Sequence, residues 1–415
     1  MSLLLLLDSA KASRAKVFRD AEPAGTLERT ARGASFRYGQ DFLNRHGRAS
    51  HGIAYHLPLR DEPFIVEGSN LHPFFAGLLP EGLRLEALVR HVKTSRDDLM
   101  SQLLASGPDT VGDVWLTPEG TRPPAPATVA QVADIGQVSF ENLWSRSVDY
   151  ASDALREQMS VPGVHRKISA SMISFPVRGV QTKTIHILKL GSRQFPRLVR
   201  NEFFFMNMAR ECGVPSAKVE LVRDADGETG LLVERFDRVS RSSGEPTKVH
   251  QEDACQFLDR YPWDKYLLSL ADVARGLSIC HTPILAVSAL LRLQAFSYLI
   301  GNGDLHGKNI SLRTNPDKGW IEPTLAYDLL STWPYGDRHM ALKVDGRDAR
   351  LTGKAFVRFG ERFGVTAKAT RTMLDKLCTN SGAWVPRTDE IGLNKKKTDS
   401  LKRMIQERRS ELARV

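Results

Sequence analysis

The 415-residue chain contains only four cysteines, Cys212, Cys255, Cys280 and Cys378, and no two form a C-x-x-C pair. That argues against a disulfide-framed secreted domain or a cysteine zinc knuckle, and reads most simply as four packed thiols in a reducing compartment. Cys280-His281 has no second ligand pair beside it and is a weak metal candidate. The one leucine run, Leu3 to Leu7, falls far short of the roughly 20 residues of a spanning helix. No basic segment precedes it and Asp8 closes it, so a buried strand is expected in place of a signal peptide. No membrane partner is indicated, and the expected location is the cytoplasm. With 41% hydrophobic and 26% charged residues, disordered and collagen-like classes are excluded too. The length implies two or three domains.

Charge is present in excess but unevenly. Residues 1–120 carry 14 Lys and Arg against 15 Asp and Glu, whereas residues 338–415 carry 19 against 9. The net +10 of the chain therefore resides almost wholly in its last 78 residues. A basic terminal region suits DNA, RNA or an acidic protein partner, and equally a solvated helical surface. Charge alone does not separate these.

The first 60 residues alternate short apolar runs with turn signals. Leu3–Leu7, Ala15–Phe18 and Ala34–Tyr38 read as strands, with turns at Glu22-Pro23-Ala24-Gly25 and Arg32-Gly33. Helical spacing begins after Pro73, and a further helix is expected over Asp97–Ala105, opened by Thr94-Ser95. Thr117 to Thr128 holds four prolines and reads as a linker. Beyond it, Ile185–Leu190, Lys218–Val222 and Gly230–Phe236 read as strands around a helix from Leu198 to Glu211. Helical patterns follow at Lys265–Gly276, Ile284–Ile300, Gly353–Phe363 and Leu401–Ala413. The expected division is an N-terminal α+β domain (1–116), a linker (117–130), a sheet-containing lobe (131–240) and a helical lobe with a basic tail (241–415). The expected class is thus α+β, with the two-lobed, protein-kinase-like layout of a phosphotransferase.

The densest chemistry lies in Gly301-Asn302-Gly303-Asp304-Leu305-His306-Gly307-Lys308-Asn309. Phosphoryl transfer needs a carboxylate near the acceptor hydroxyl and an oxygen ligand for magnesium, and D-x-x-x-x-N supplies both from one loop. Asp304 takes the base role, Asn309 a metal-ligand role, and Lys308 could neutralise the transferring phosphate. Asp328, 24 residues on, completes the magnesium shell. Each piece has a plainer reading as a capped turn. Upstream, Lys189 sits on an apolar strand where a kinase lysine meets nucleotide phosphates, and Glu202 on the next helix is its natural partner. Leu232 to Asp237, including Glu234, Arg235 and Phe236, occupies the hinge position where backbone groups meet adenine. The order Lys, Glu, hinge, Asp-x4-Asn, Asp explains all five features together.

The chain resembles the HipA-type serine/threonine kinases, toxins of bacterial toxin–antitoxin modules. The resemblance rests on Phe74 to Gly82 (FFAGLLPEG), Ser160 to Lys167 (SVPGVHRK), Val233 to Arg238 (VERFDR), His250 to Gln256 (HQEDACQ), Asp304 to Asn309, Tyr327-Asp328 and His339 to Lys343. It implies ATP and Mg2+ as cofactors. It also implies a phosphate loop of Pro162, Gly163, Val164, His165, Arg166 and Lys167, with His306, Gly307, Lys308 and Tyr327 joining the nucleotide site. Ser160 is implied as an inhibitory autophosphorylation site; a phosphate dianion there would be repelled from the closed loop. A helix-turn-helix antitoxin, operator DNA and a protein substrate such as an aminoacyl-tRNA synthetase are the implied partners. Where the family loop has a small residue and then Gly-Ala-Gln-Glu-Lys, Pro162 here removes one backbone N–H. Two other readings carry different chemistry. A small-molecule phosphotransferase of the aminoglycoside or choline kinase type shares the Gly303 to Asn309 loop, and a non-enzymatic scaffold would bind antitoxin and DNA without needing the carboxylates.

Overall fold

The computed structural model describes residues 12–47, 51–68, 70–92, 94–107, 109–121, 130–148, 172–178, 184–191, 194–239 and 246–415. The expected Leu3–Leu7 strand and the Ser160 to Lys167 loop lie outside these residues, as does most of the proline-rich stretch.

The N-terminal part is a five-stranded antiparallel sheet of β1 (Arg14–Arg19), β2 (Glu22–Thr30), β3 (Gly33–Tyr38), β4 (Phe64–Glu67) and β5 (Val114–Pro118), in the order β4-β3-β2-β1-β5. Four helices accompany it: α1 (Gln40–His46), α2 (Pro73–Gly77), α3 (Gly82–Val92) and α4 (Leu99–Ser106). Alternating residues such as Val17, Leu27 and Phe36 meet Phe74 and Phe75 in one apolar core. Glu22 to Gly25 is not the turn expected. It opens β2, because the register shift after Val17 lets Pro23 pair with Phe18 where β3 does not reach. The reversal falls instead at Asp20-Ala21, with Asp20 in the left-handed region at φ 50. The cap of α4 also differs from expectation. Asp98 accepts from Ser101 N at 3.1 Å, and Thr94 supports Asp98 through a 2.9 Å bond.

The second sheet contains β6 (Ala130–Gln131), β7 (Ile173–Arg178), β8 (Ile185–Leu190), β9 (Val219–Arg223) and β10 (Thr229–Glu234), in the order β6-β7-β8-β10-β9. The strands β6 and β7 and the helix α5 (Phe140–Val148) were not legible in the sequence. The helix α6 (Leu198–Glu211) lies between β8 and β9 in the chain and packs on β9 and β10. After a two-stranded ribbon, β11 (Arg238–Val239) with β12 (Thr247–Lys248), comes the lower lobe. It has a three-stranded sheet of β13 (Gln251–Asp253), β14 (Ser311–Thr314) and β15 (Ile321–Pro323). Its helices are α7 (Ala254–Phe257), α8 (Leu270–Gly276), α9 (Pro283–Ile300), α10 (Gly353–Arg362), α11 (Ala367–Ser381) and α12 (Lys395–Leu412).

The helix α9 is long and apolar enough to cross a membrane by composition, but its C-terminal half is buried at the centre of this lobe. Such a helix is hydrophobic all round because it is a core element. Two expected helices shift. The one placed over Lys265–Gly276 starts only at Leu270, where Ser269 and Asp272 form a capping box, leaving Lys265 to Leu268 outside it. The C-terminal helix starts at Lys395, capped by Asn394 at 3.0 Å, so the three lysines are its first turn. Cys212, Cys255 and Cys280 are buried, Cys378 is half-buried, and all four are free thiols.

Candidate active site

The second sheet, the lower lobe and the N-terminal domain enclose a cavity of about 300 Å³. Its walls bring together Lys189 from β8, Val233 to Asp237 from the end of β10, and Lys308, Asn309, Tyr327 and Asp328 from the lower lobe. Gly77 to Glu81, Arg84 and Asp109 to Val111 close it from the N-terminal side.

Lys189 is buried at the end of its strand, where a lone ammonium would be costly. It donates to Glu202 Oε1 at 2.6 Å and to Asp328 Oδ1, so its charge is shared by two carboxylates. Burial alone would lower its pKa, but Asp328 and Glu202 outweigh burial and raise it, keeping the ammonium charged. Burial pushes Glu202 up against the pull of Lys189. The helix carrying Glu202 is anchored by the preceding residue: Asn201 Nδ2 donates to Ser331 O at 3.0 Å, and Ser331 N returns a bond to Asn201 Oδ1 at 2.8 Å. Asp328 has φ 57, a left-handed conformation uncommon outside glycine and enriched at functional sites.

The loop bearing Asp304 is delivered by the end of α9. Gly301 takes φ 72 there, closing the helix with a bond from its N–H to Tyr298 O at 3.1 Å. A side chain on Gly303 would place its Cβ 2.6 Å from His339 O, so only glycine fits between the loop and that backbone. Asp304 is held by its own loop: its N–H donates to Asn302 Oδ1 at 3.0 Å, and Asn309 Nδ2 donates to its carbonyl at 2.8 Å. Its carboxylate accepts from Tyr266 OH at 2.7 Å.

Asp304, His306 and Gly307 do not line the cavity; they lie in the buried loop that supports Lys308 and Asn309. Gly307 is pressed against Leu268, and His306 turns its ring edge-on to Tyr266 at 4.9 Å. Burial lowers the His306 pKa despite Asp304 beside it, which disfavours the charged ring. Lys308 lines the cavity, but its ammonium is engaged by Asp253 Oδ2 at 3.0 Å and by Gly77 O at 3.0 Å. Tyr327 OH donates to Lys308 O at 2.7 Å, and its ring faces Phe236 at 5.9 Å. Arg235 lines the cavity too, yet its guanidinium is spent on protein carboxylates: Asp237 at 2.7 Å and Asp109 of the N-terminal domain at 2.6 Å. Glu234 N and Arg235 N donate to Lys218 O and Ile185 O, both at 2.9 Å, which fixes the hinge backbone.

The donor set suits a hard cation. Asp328 and Asn309 present a carboxylate and a carboxamide to one cavity beside Lys189, and magnesium takes one or two such oxygens and completes its shell from phosphate and water. Among the described residues no group of three or more His, Cys, Asp and Glu could form an all-protein metal cage. Tyr266 and Asp109 were not singled out in the sequence, whereas Glu81 and Asp253 stand within the family-like runs Phe74 to Gly82 and His250 to Gln256 without having been read as site residues.

Residues 15–117 match the model of the HipA N-terminal domain and residues 159–385 that of the HipA-like C-terminal domain. A putative kinase of Sinorhizobium fredii, Y4mE, is 30% identical over 380 residues, 86% of each chain. The serine/threonine-protein kinase toxin HipA of Shewanella oneidensis is 29% identical over 297 residues, 66% of each chain. Among solved structures, HipA of Shewanella oneidensis MR-1, determined with HipB and its operator DNA, aligns with a TM-score of 0.74 at 20% identity. That alignment covers 96% of this chain and 97% of the other, and shows a shared two-lobed α+β fold.

Proposed function

The chain belongs to the HipA family of kinases, and on that premise we propose that it phosphorylates serine or threonine of a cytoplasmic protein as the toxin of a toxin–antitoxin module. The observation that carries the reading is Lys189, bonded to both Glu202 and Asp328 in the wall of a cavity bounded by the hinge. A scaffold needs no such buried lysine held between two carboxylates, and the matched N-terminal domain weighs against a small-molecule phosphotransferase.

Bound ATP with magnesium would supply the phosphoryl group and neutralise its charge. Lys189, oriented by Glu202, would bind the nucleotide phosphates, and Asp328 with Asn309 would hold the metal. Val233 to Phe236 would take the adenine, with Tyr327 closing the pocket. Asp304 would accept the proton of the acceptor hydroxyl. Lys308, already paired with Asp253, would brace the loop and add positive field at the cavity wall. Pro162 to Lys167 would cover the phosphates, and phosphate on Ser160 would drive that loop out and switch the kinase off. An aminoacyl-tRNA synthetase is the proposed substrate class. A helix-turn-helix antitoxin and operator DNA are the proposed partners, met through the basic helix α12.

Purified protein given magnesium and γ-labelled ATP is expected to gain phosphate, mainly on Ser160, and Asp304→Ala to abolish it. Incorporation unaffected by Asp304→Ala would overturn the catalytic assignment. Phosphoproteomics after induction, wild type against Asp304→Ala, would identify the substrate; a catalytically active protein harmless without its antitoxin would count against the toxin role. Neutralising Lys395, Lys396 and Lys397 together should weaken operator binding by the antitoxin complex.

A further inference from the structure

The loop of Asp304 is gripped from outside by a short segment, Lys265 to Leu268, that belongs to neither lobe's regular structure. Gly307 N donates to Lys265 O at 3.0 Å, stitching the segment's backbone to the loop. Leu268 packs so closely on Gly307 that a Cβ there would lie 2.6 Å from Leu268 Cδ1. Lys265 Nζ reaches the other way, to Glu81 of the N-terminal domain at 2.9 Å. Between these anchors stands Tyr266, whose hydroxyl donates to Asp304 Oδ1 at 2.7 Å and whose ring is set edge-on to His306.

Two kinds of contact act on Asp304, one on its backbone and one on its carboxylate. Asn302 and Asn309 hold its backbone from within the loop, so they determine where the residue sits. Neither fixes the rotation of the carboxylate. A carboxylate turns about a soft sp³–sp² torsion, and a base works only when one oxygen faces the hydroxyl it deprotonates. Tyr266 supplies that restraint from a rigid ring. Burial and the Asp304 charge raise the Tyr266 pKa, which favours the phenol as the donor of this bond.

We infer that Tyr266 is a positioning residue for phosphoryl transfer: by donating to Oδ1 it sets the carboxylate of Asp304 toward the acceptor hydroxyl, and the Lys265 to Leu268 strap, tethered to Glu81, holds Tyr266 in place. The inference rests on Asp304 being the base and goes beyond it by naming what aims it. The tyrosine is not part of the cavity wall; it acts through the aspartate.

The test uses the full chain and a degenerate library of Ser/Thr-centred peptides as acceptor. Tyr266→Phe removes one hydroxyl and keeps the ring. Its kcat should fall roughly ten- to hundredfold, the worth of a hydrogen bond to a charged group. KM for ATP and for peptide should stay within about twofold, and the melting temperature should stay close to wild type. A fall in kcat accompanied by a comparable fall in melting temperature, or by a rise of more than about fivefold in KM for ATP or peptide, would assign Tyr266 a structural role and overturn the inference. So would a rise in kcat, which would make the tyrosine an occupant of the acceptor's place. If wild type itself shows no Asp304-dependent phosphorylation, the kinase reading fails at its base; if Asp304→Ala is dead and Tyr266→Phe is normal, only the positioning role fails.

Discussion

The cleft and the C-terminal helix hold charge in opposite ways. At the cleft, the side chains of Lys189 and Glu202 are 8% and 0% exposed and bonded at 2.6 Å. On α12, Lys395 and Asp399 make a bond of similar length, 2.9 Å, but at 89% and 48% exposure. Water screens the second pair and leaves the first unscreened, so similar distances stand for unequal energies. A count of charges along the sequence points to the tail, where most pairs are weak. The buried ion pairs of the cleft sit where the count is nearly neutral.

The contrast breaks most decisively at Lys189. Lys189→Met leaves Glu202 and Asp328 side by side without a cation; removing one partner of a buried pair costs about 3–5 kcal/mol. Chemical denaturation should show that loss, together with absent phosphorylation. A stable, active variant would erase the distinction between the two regions.

A slightly smaller effect is expected where the N-terminal domain meets the kinase. His250 lies between Asp113 at 2.8 Å and Glu252 at 3.0 Å, and Glu252 in turn accepts from Tyr55 N at 2.7 Å. Burial would lower the imidazole's pKa, but Asp113 and Glu252 overcome it and push it up to about 9. The folded pKa lies above the unfolded 6.5, so the stabilisation is full below 6.5 and lost as pH rises through about 9. Across that window it amounts to roughly 3 kcal/mol. His250→Gln should flatten the decline; identical pH dependence in variant and wild type would show that the imidazolium contributes nothing there.

Asp109→Ala should cost less, about 1–3 kcal/mol, because Arg235 keeps Asp237 when its partner across the domain boundary is removed. Denaturant titration measures it, and a loss as large as that of Lys189→Met would mean the boundary is held as tightly as the cleft. At the bottom of the scale, Lys395→Ala should leave the melting temperature unchanged. A clear drop would give the exposed helix pairs a weight that solvent screening denies them.

Much of the site was legible because its signals are local. Asp304 and Asn309 share one loop, Lys189 and Glu202 are separated by one turn-and-helix step, and Asp328 follows the hairpin of β14 and β15. Spacing suffices when the chain itself supplies the geometry. Tyr266 reaches Asp304 across 38 residues, and Asp109 reaches Arg235 across 126. No periodicity encodes such pairs. The misplaced start of the helix at Lys265 hid Tyr266 as well, because a helical pattern concealed a strap that only the Ser269 capping box delimits.

By itself the sequence determined the α+β composition, the order of the kinase-like residues and the free thiols, all of which follow from short-range pattern and residue chemistry. Tertiary structure alone decided which charges are buried and what each one faces. Lys308 shows why: its position in the loop made it a candidate for the phosphate, yet docking of the N-terminal domain supplies Gly77 O, and β13 ends at Asp253 within reach of its ammonium. A charge serves whichever partner shares its burial, and burial is a property of the folded whole.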